Sequence, residues 1–163
     1  MKLLNKGIYL KVPTLEELSN TELLLGDSKT MEFNKKWGGT VSFPATKWEF
    51  FYDEYIDNPS RYYFHIYNLD GVFVGEVSSR FKESFNSYVL NIKIMYMFRG
   101  NKHAFDALEK FLEYIFETEN VSRIVDNIGH DSTAGISLLK QFGFIEIDQT
   151  DEYLLLELKK EDF

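Results

Sequence analysis

Arg99-Gly100-Asn101-Lys102-His103-Ala104 stands between a β-patterned apolar run and an amphipathic stretch with Ala104, Leu108, Phe111, Leu112 and Ile115 on one face. A strand that passes through such a loop into a helix presents unpaired N–H groups and the positive end of a dipole, a site suited to the phosphates of a nucleotide-like cofactor. Arg99 and Lys102 would add charge; the same residues also fit a plain strand-to-helix turn with a solvated lysine. Glu76 follows Gly75 in a β-patterned run, where a carboxylate facing a cleft could accept a proton through water and one facing outward would only be solvated. His103 lies inside the loop and could meet phosphate or stand exposed at a helix start, whereas His65 and His130 read as a strand and a loop residue. With no Cys and only these three His, disulfides, thiolate zinc sites and cysteine nucleophiles are excluded, and no metal site is expected.

A second grouping is aromatic. Trp37, Trp48, Phe50, Phe51, Tyr52 and Tyr55 stand near Asp53, Glu54 and Asp57, and rings beside carboxylates can receive a cationic amine. Ordinary packing of Trp48, Phe51 and Tyr55 with a solvated acidic face is the alternative. Trp37, in a loop with Gly38 and Gly39, is the member less explained by packing.

The elements that must position these residues follow from period and punctuation. Residues 8–12 alternate and stop at Pro13, a strand. Thr14-Leu15-Glu16-Glu17 matches a capping box, and Leu15, Leu18, Leu23 and Leu25 predict a helix. Residues 35–44 read as a loop, and Trp48, Phe51, Tyr52 and Tyr55 predict a second helix over residues 46–56, ended at Asn58-Pro59. From Arg61 the period becomes two, and residues 61–67, 72–81 and 88–98 predict an antiparallel meander with turns at residues 68–71 and 83–86. A helix from Ala104 to Phe116, a strand over 121–128, a helix ending at Gly143, and strands over 144–147 and 153–158 complete the order. This is a mixed α/β chain, expected as one domain over residues 1–163.

Composition bounds the partners. A net charge of -8 opposes binding to phosphate backbones, so nucleic acid is not expected, and it favours a cationic small molecule or a basic peptide. No run approaches the roughly 18 apolar residues of a membrane span. Asn5, Lys6 and Gly7 interrupt any signal-like segment, so the chain is expected in the cytoplasm. Exposed strand edges and the aromatic-rich first half offer surface for a homodimer.

Two motifs resemble the GNAT superfamily of acyl-CoA-dependent N-acetyltransferases. The strand Asn91 to Phe98 running into Arg99–Ala104 is similar to the family's pyrophosphate loop, and Ser132-x-x-x-Ile136-x-Leu138-Leu139-Lys140-Gln141-Phe142-Gly143-Phe144 resembles its second signature. The resemblance implies a central, mostly antiparallel twisted sheet with helices on both faces. It implies acetyl-CoA as co-substrate and direct transfer, within a ternary complex, to a primary amine of a small molecule or a protein N-terminus. A catalytically degenerate module that binds acyl-CoA or a ligand as a sensor or interaction domain is the alternative. It further implies that backbone N–H groups within Ile94, Met95, Tyr96 and Met97 polarise the thioester, and that Arg99, Gly100, Asn101, Lys102, His103, Ala104 and Ser132 bind the cofactor. Glu76 and Tyr96 become candidates for proton transfer, although Tyr96 on a strand also fits core packing. Trp37 falls on the substrate side. Three positions depart from the pattern: Lys102 stands where glycine is usual, Ser132 replaces asparagine, and Leu139 occupies the place of the tyrosine that protonates the departing thiolate.

Overall fold

A computed structural model describes all residues, Met1–Phe163. The strands are β1 (Lys2–Asn5), β2 (Ile8–Lys11), β3 (Arg61–Asn68), β4 (Phe73–Lys82), β5 (Ser87–Ile94), β6 (Arg123–Gly129), β7 (Ile145–Gln149) and β8 (Tyr153–Lys159). The helices are α1 (Leu18–Leu25), α2 (Trp48–Phe51), α3 (His103–Glu113) and α4 (Thr133–Gln141). The sheet has eight strands in the order β1-β2-β3-β4-β5-β6-β8-β7. The pairs β1–β2, β2–β3, β6–β8 and β7–β8 are antiparallel, and β5 with β6 is parallel. The mixed α/β, mostly antiparallel expectation holds. By its contacts the chain divides into two compact units, Met1–Ser78 with Ile92–Lys110, and Ser79–Asn91 with Phe111–Phe163.

In the first unit, Thr14 and Glu17 form the capping box: the Glu17 N–H donates to Thr14 Oγ1 and the Thr14 N–H to Glu17 Oε2, each at 3.3 Å. The helix proper begins at Leu18, later than the box suggests, and its inward face is Leu18, Thr21 and Leu24, with Leu23 turned out to solvent. The spacing of three puts a hydroxyl, Thr21, in the middle of a buried stripe. The segment 46–56, expected as one helix, is a 3₁₀ turn (Ala45–Lys47), α2, and a π-helical stretch (Tyr52–Ile56). Strand β1 was not expected; it pairs with β2 across a two-residue turn in which Lys6 adopts a φ of 42°.

The expected strand over 88–98 stops at Ile94. Met95 still donates to the Val74 carbonyl at 2.8 Å, but the Tyr96 amide is captured by Thr30 Oγ1 at 2.9 Å and the Phe98 amide bends back onto the Met95 carbonyl at 2.9 Å. Tyr96–Phe98 therefore form a 3₁₀ turn rather than ladder. Gly75 is where β4 and β5 approach closely, since a Cβ there would lie 2.1 Å from the Lys93 carbonyl oxygen.

In the second unit, β5 meets β6 only at Tyr88 with Ile124 and Val89 with Val125, whereas β6 pairs with β8 along its whole length, from Arg123 with Lys159 to Gly129 with Tyr153. Ile124, Val125, Leu139, Leu156 and Leu158 supply core. Gly143 takes a φ of 99° just past α4, the left-handed conformation that glycine allows at a helix end. No helix is long and apolar enough to cross a membrane.

Candidate active site

Strand alternation brings Tyr63, His65 and Tyr67 of β3 to one face, and this face meets the Thr21 side of α1. Glu76 of β4 is buried there rather than turned out to solvent, which removes the outward-facing alternative. Its Oε2 accepts from the Tyr63 hydroxyl and its Oε1 from Lys93 Nζ of β5 at 3.0 Å. Thr21 Oγ1 lies 3.0 Å from the Tyr63 hydroxyl and 2.9 Å from His65 Nε2. Five side chains from four elements thus form one bonded row.

The electrostatics follow from burial and partners. Burial raises the Glu76 carboxyl, but the Lys93 charge and the Tyr63 and Lys93 hydrogen bonds outweigh it and hold the group below the usual carboxylate range. Burial is also the main cause that pushes the Tyr63 phenol well above its usual value, with the Glu76 charge adding to it. Burial depresses His65 to about 4, so its imidazole is neutral at neutral pH. Around this row, Tyr63 meets Phe51 edge-on at 5.5 Å, and Phe51 stacks on Tyr55 at 4.6 Å. The Arg61 guanidinium lies 4.0 Å over the Tyr55 ring, so a protein cation already occupies that face.

The loop has a geometry of its own. Gly100 and Lys102 both adopt left-handed φ values, 83° and 63°. Lys102, at the position where the resemblance leads one to expect glycine, is therefore held where glycine is favoured. The Asp106 amide donates to the Lys102 carbonyl at 3.0 Å, and the amides of His103 and Ala104, at the start of α3, precede this bond. Gly100, Asn101 and Lys102 are exposed, and His103 and Ala104 half-buried. Arg99 does not reach outward: Nε donates to the Ile94 carbonyl at 3.1 Å and an Nη to the Thr30 carbonyl at 3.2 Å, pinning the end of β5 to the segment before the 3₁₀ helix Thr30–Trp37. Asn101 Nδ2 donates to the Phe98 carbonyl at 3.3 Å.

Lys102→Gly is expected to raise the thermal midpoint. Left-handed strain of about 1–2 kcal/mol outweighs the extra unfolded-state freedom of glycine, about 0.5–1 kcal/mol, leaving a net gain on the order of 0.5–1 kcal/mol. A differential scan showing an unchanged or lower midpoint contradicts the strain.

The remaining candidates are distributed as follows. Among the amides expected to polarise a thioester, those of Met95 and Tyr96 are spent on Val74 and Thr30. Tyr96 is not a strand residue, and its ring is about half exposed, with the Lys29 ammonium 5.1 Å from its centroid. Trp37 is 71% exposed with Lys36 Nζ 5.7 Å from its ring, apart from the Phe43, Phe51, Tyr55 and Tyr63 group. In the second unit, Ser132 is the N-cap of α4; its carbonyl accepts from the Ile136 amide at 3.0 Å while its side chain makes no capping bond. Leu139 is buried in that unit's core.

Sequence reasoning missed Tyr63, Thr21 and Lys93. The signal for Tyr63 was present, because period two along Arg61–Tyr67 places it with His65 on one face. It also missed Asp126, which sits on β6 immediately after the last β5 pair and opposite Leu156 of β8. Burial pushes its carboxyl up to about 7. A charged residue inside the apolar run Ile124-Val125-Asp126-Asn127-Ile128 was the available signal.

Comparison with known proteins gives three findings. The family model described as acetyltransferase (GNAT) domain matches residues 8–145. Compared by sequence with the curated proteins, the chain has no match. Among solved structures it is similar to a spermidine N-acetyltransferase from Vibrio cholerae in complex with CoA and spermine, with a TM-score of 0.82 and 15% identity over 97% of this chain and 98% of that one. It is also similar to an acetyltransferase of the GNAT family from Bacillus anthracis, with a TM-score of 0.77 and 13% identity over 99% of both chains.

Proposed function

Because the chain belongs to the GNAT family of acetyltransferases, we propose that it transfers the acetyl group of acetyl-CoA directly to a primary amine in a ternary complex, acting as one domain. The observation that carries this reading is the exposed entrance of α3, where left-handed Gly100 and Lys102 lead into the amides of His103 and Ala104 at the start of the helix. Phosphate is the ligand such an entrance suits. Lys102 and the amides of His103 and Ala104 hold the pyrophosphate, while Arg99 acts as the brace that fixes the loop to β5.

Glu76 is the proton acceptor of the reaction. It is charged at neutral pH, it is fixed on both oxygens, and it draws the amine's proton through water before the nitrogen attacks the thioester carbonyl. The acceptor is a small cationic amine of the polyamine kind. The net charge of -8 favours a polycation, and a structurally similar acetyltransferase is named with spermine bound.

One observation favours a second reading. Leu139 offers no hydroxyl where the family's signature has tyrosine, and it is only 1% exposed, so a module that binds acetyl-CoA without turning it over is consistent with that position. Calorimetric titration with acetyl-CoA and with desulfo-CoA, followed by thiol release in the presence of spermidine, tests both. Micromolar binding with release supports the transferase. Micromolar binding without release supports the module, and no binding at millimolar cofactor overturns both.

A further inference from the structure

The protons of the buried row can be assigned from its hydrogen-bond geometry together with the charge of Glu76. Glu76 is a charged carboxylate and only accepts. Tyr63 has one proton, and it goes to Glu76 Oε2. The Tyr63 oxygen, 3.0 Å from Thr21 Oγ1, must then accept, so the Thr21 proton points to Tyr63. Thr21 has no second proton, so at 2.9 Å it accepts from His65, which carries its hydrogen on Nε2. With the opposite tautomer, the one Thr21 proton would turn to Nε2 and the two hydroxyl oxygens would face each other at 3.0 Å with nothing between them. An Nδ1–H would also be a buried donor without an acceptor, since Nδ1 has no partner.

Every donor in the row therefore points toward the same carboxylate: His65 to Thr21, Thr21 to Tyr63, Tyr63 to Glu76. Donors in series inside a low-dielectric interior polarise one another. We propose that Thr21, Tyr63 and His65 are positioning residues for Glu76, fixing the orientation of its carboxylate opposite Lys93, with His65 locked as the neutral Nε2–H tautomer at the far end of the row. This rests on the reading of Glu76 as the proton acceptor. A carboxylate that has just taken a proton loses the charge assistance of the Tyr63 bond, so the row returns Glu76 to its charged form once the proton leaves to water.

The groups that act on the row are few and named. Glu76 faces Lys93, Tyr63 and His65. His65 feels Glu76, Glu17 and Lys11 by charge and is packed by Tyr63 at 5.6 Å, Tyr67 at 6.3 Å and Phe73 at 4.9 Å. No cysteine or second histidine shares this contact set.

The test uses the full chain and two readouts. Tyr63→Phe removes a charge-assisted donor, so the acid limb of the kcat profile and the Glu76 carboxyl titration seen by NMR are both expected to move up by about one pH unit, with kcat about tenfold lower and the amine KM little changed. Thr21→Val moves both in the same direction by less. His65→Gln supplies an N–H at similar reach and keeps the wild-type profile, whereas His65→Leu does not. Thermal scans identify any variant that is unfolded, and the imidazole nitrogen spectrum of the unsubstituted protein, expected to show Nε2–H, decides the tautomer independently of any substitution. An Nδ1–H tautomer, or a Tyr63→Phe carboxyl titration superimposable on wild type, overturns the proposal. Should no amine be acetylated while the carboxyl titration still moves in Tyr63→Phe, the positioning row stands and the acetylation reading falls.

Discussion

Replacing Glu76 by glutamine is expected to lower kcat by about 10² to 10⁴ with a much smaller change in the KM of the amine. The amide cannot accept the amine's proton, yet its shape still fills the space between Tyr63 and Lys93. The substitution has a second effect that must be read separately. Lys93, whose side chain is 13% exposed, loses its only counter-charge at 3.0 Å, and breaking a buried pair from one side costs about 3–5 kcal/mol. Assays therefore belong well below the variant's thermal midpoint, with circular dichroism confirming the fold. The pH profile adds a sign. Since Lys93 and Tyr63 hold Glu76 below the ordinary carboxylate range against the effect of burial, the acid limb expected of Glu76 as proton acceptor lies on the acidic side of that range. A folded Glu76→Gln protein that keeps kcat within about tenfold of wild type removes Glu76 from the chemistry.

Asp126→Asn is expected to stabilise the protein above neutrality and to leave it almost unchanged in acid. Burial raises this carboxyl from its ordinary 3.8 to about 7, so between those values the folded chain keeps a proton that the unfolded chain has released. The folded state binds more protons, and stability falls as pH rises through that window, the loss being complete above about 7. At roughly 1.4 kcal/mol per pH unit the full effect is bounded near 4 kcal/mol. The side chain keeps partial solvent contact, which reduces the expectation to about 2 kcal/mol, or roughly 4–8 °C in midpoint for a chain of this size. Asparagine does not titrate, so the variant lacks the fall in stability that Asp126 contributes across this window, while every other group contributes to both proteins alike. Thermal midpoints of both proteins at about pH 5 and about pH 8 give the difference; an equal gap at both values means that Asp126 is not the titrating group.

Local rules carried far along this chain, because most of its elements are specified by period and punctuation. Alternation placed β3 and β4, the turn residues separated them, Gly143 ended α4, and the Thr14–Glu17 box formed as its spacing requires. The two motifs that resemble the GNAT signatures were legible for the same reason: a loop and a helix end are local objects. Where expectation and structure part, a distant partner competes for a local group. The strand over 88–98 stops at Ile94 because Thr30, far away in sequence, takes the Tyr96 amide. Arg99, which local reasoning assigns to phosphate, is spent on the Ile94 and Thr30 carbonyls.

By itself, then, the sequence determined most of the order of elements from Ile8 onward, the mixed α/β class, the absence of cysteine chemistry, and the loop that opens α3, each set by side-chain type within a few residues. Only the tertiary structure decided what Glu76 is. Its burial, its two oxygens shared between Tyr63 and Lys93, and the row leading through Thr21 to His65 depend on four elements whose pairing is fixed by non-local packing. The same holds for Asp126, whose raised carboxyl comes from the burial of β6 after its last pair with β5. A residue's type is local information, but the free energy of its charge is set by what surrounds it, and that is known only once the chain has closed.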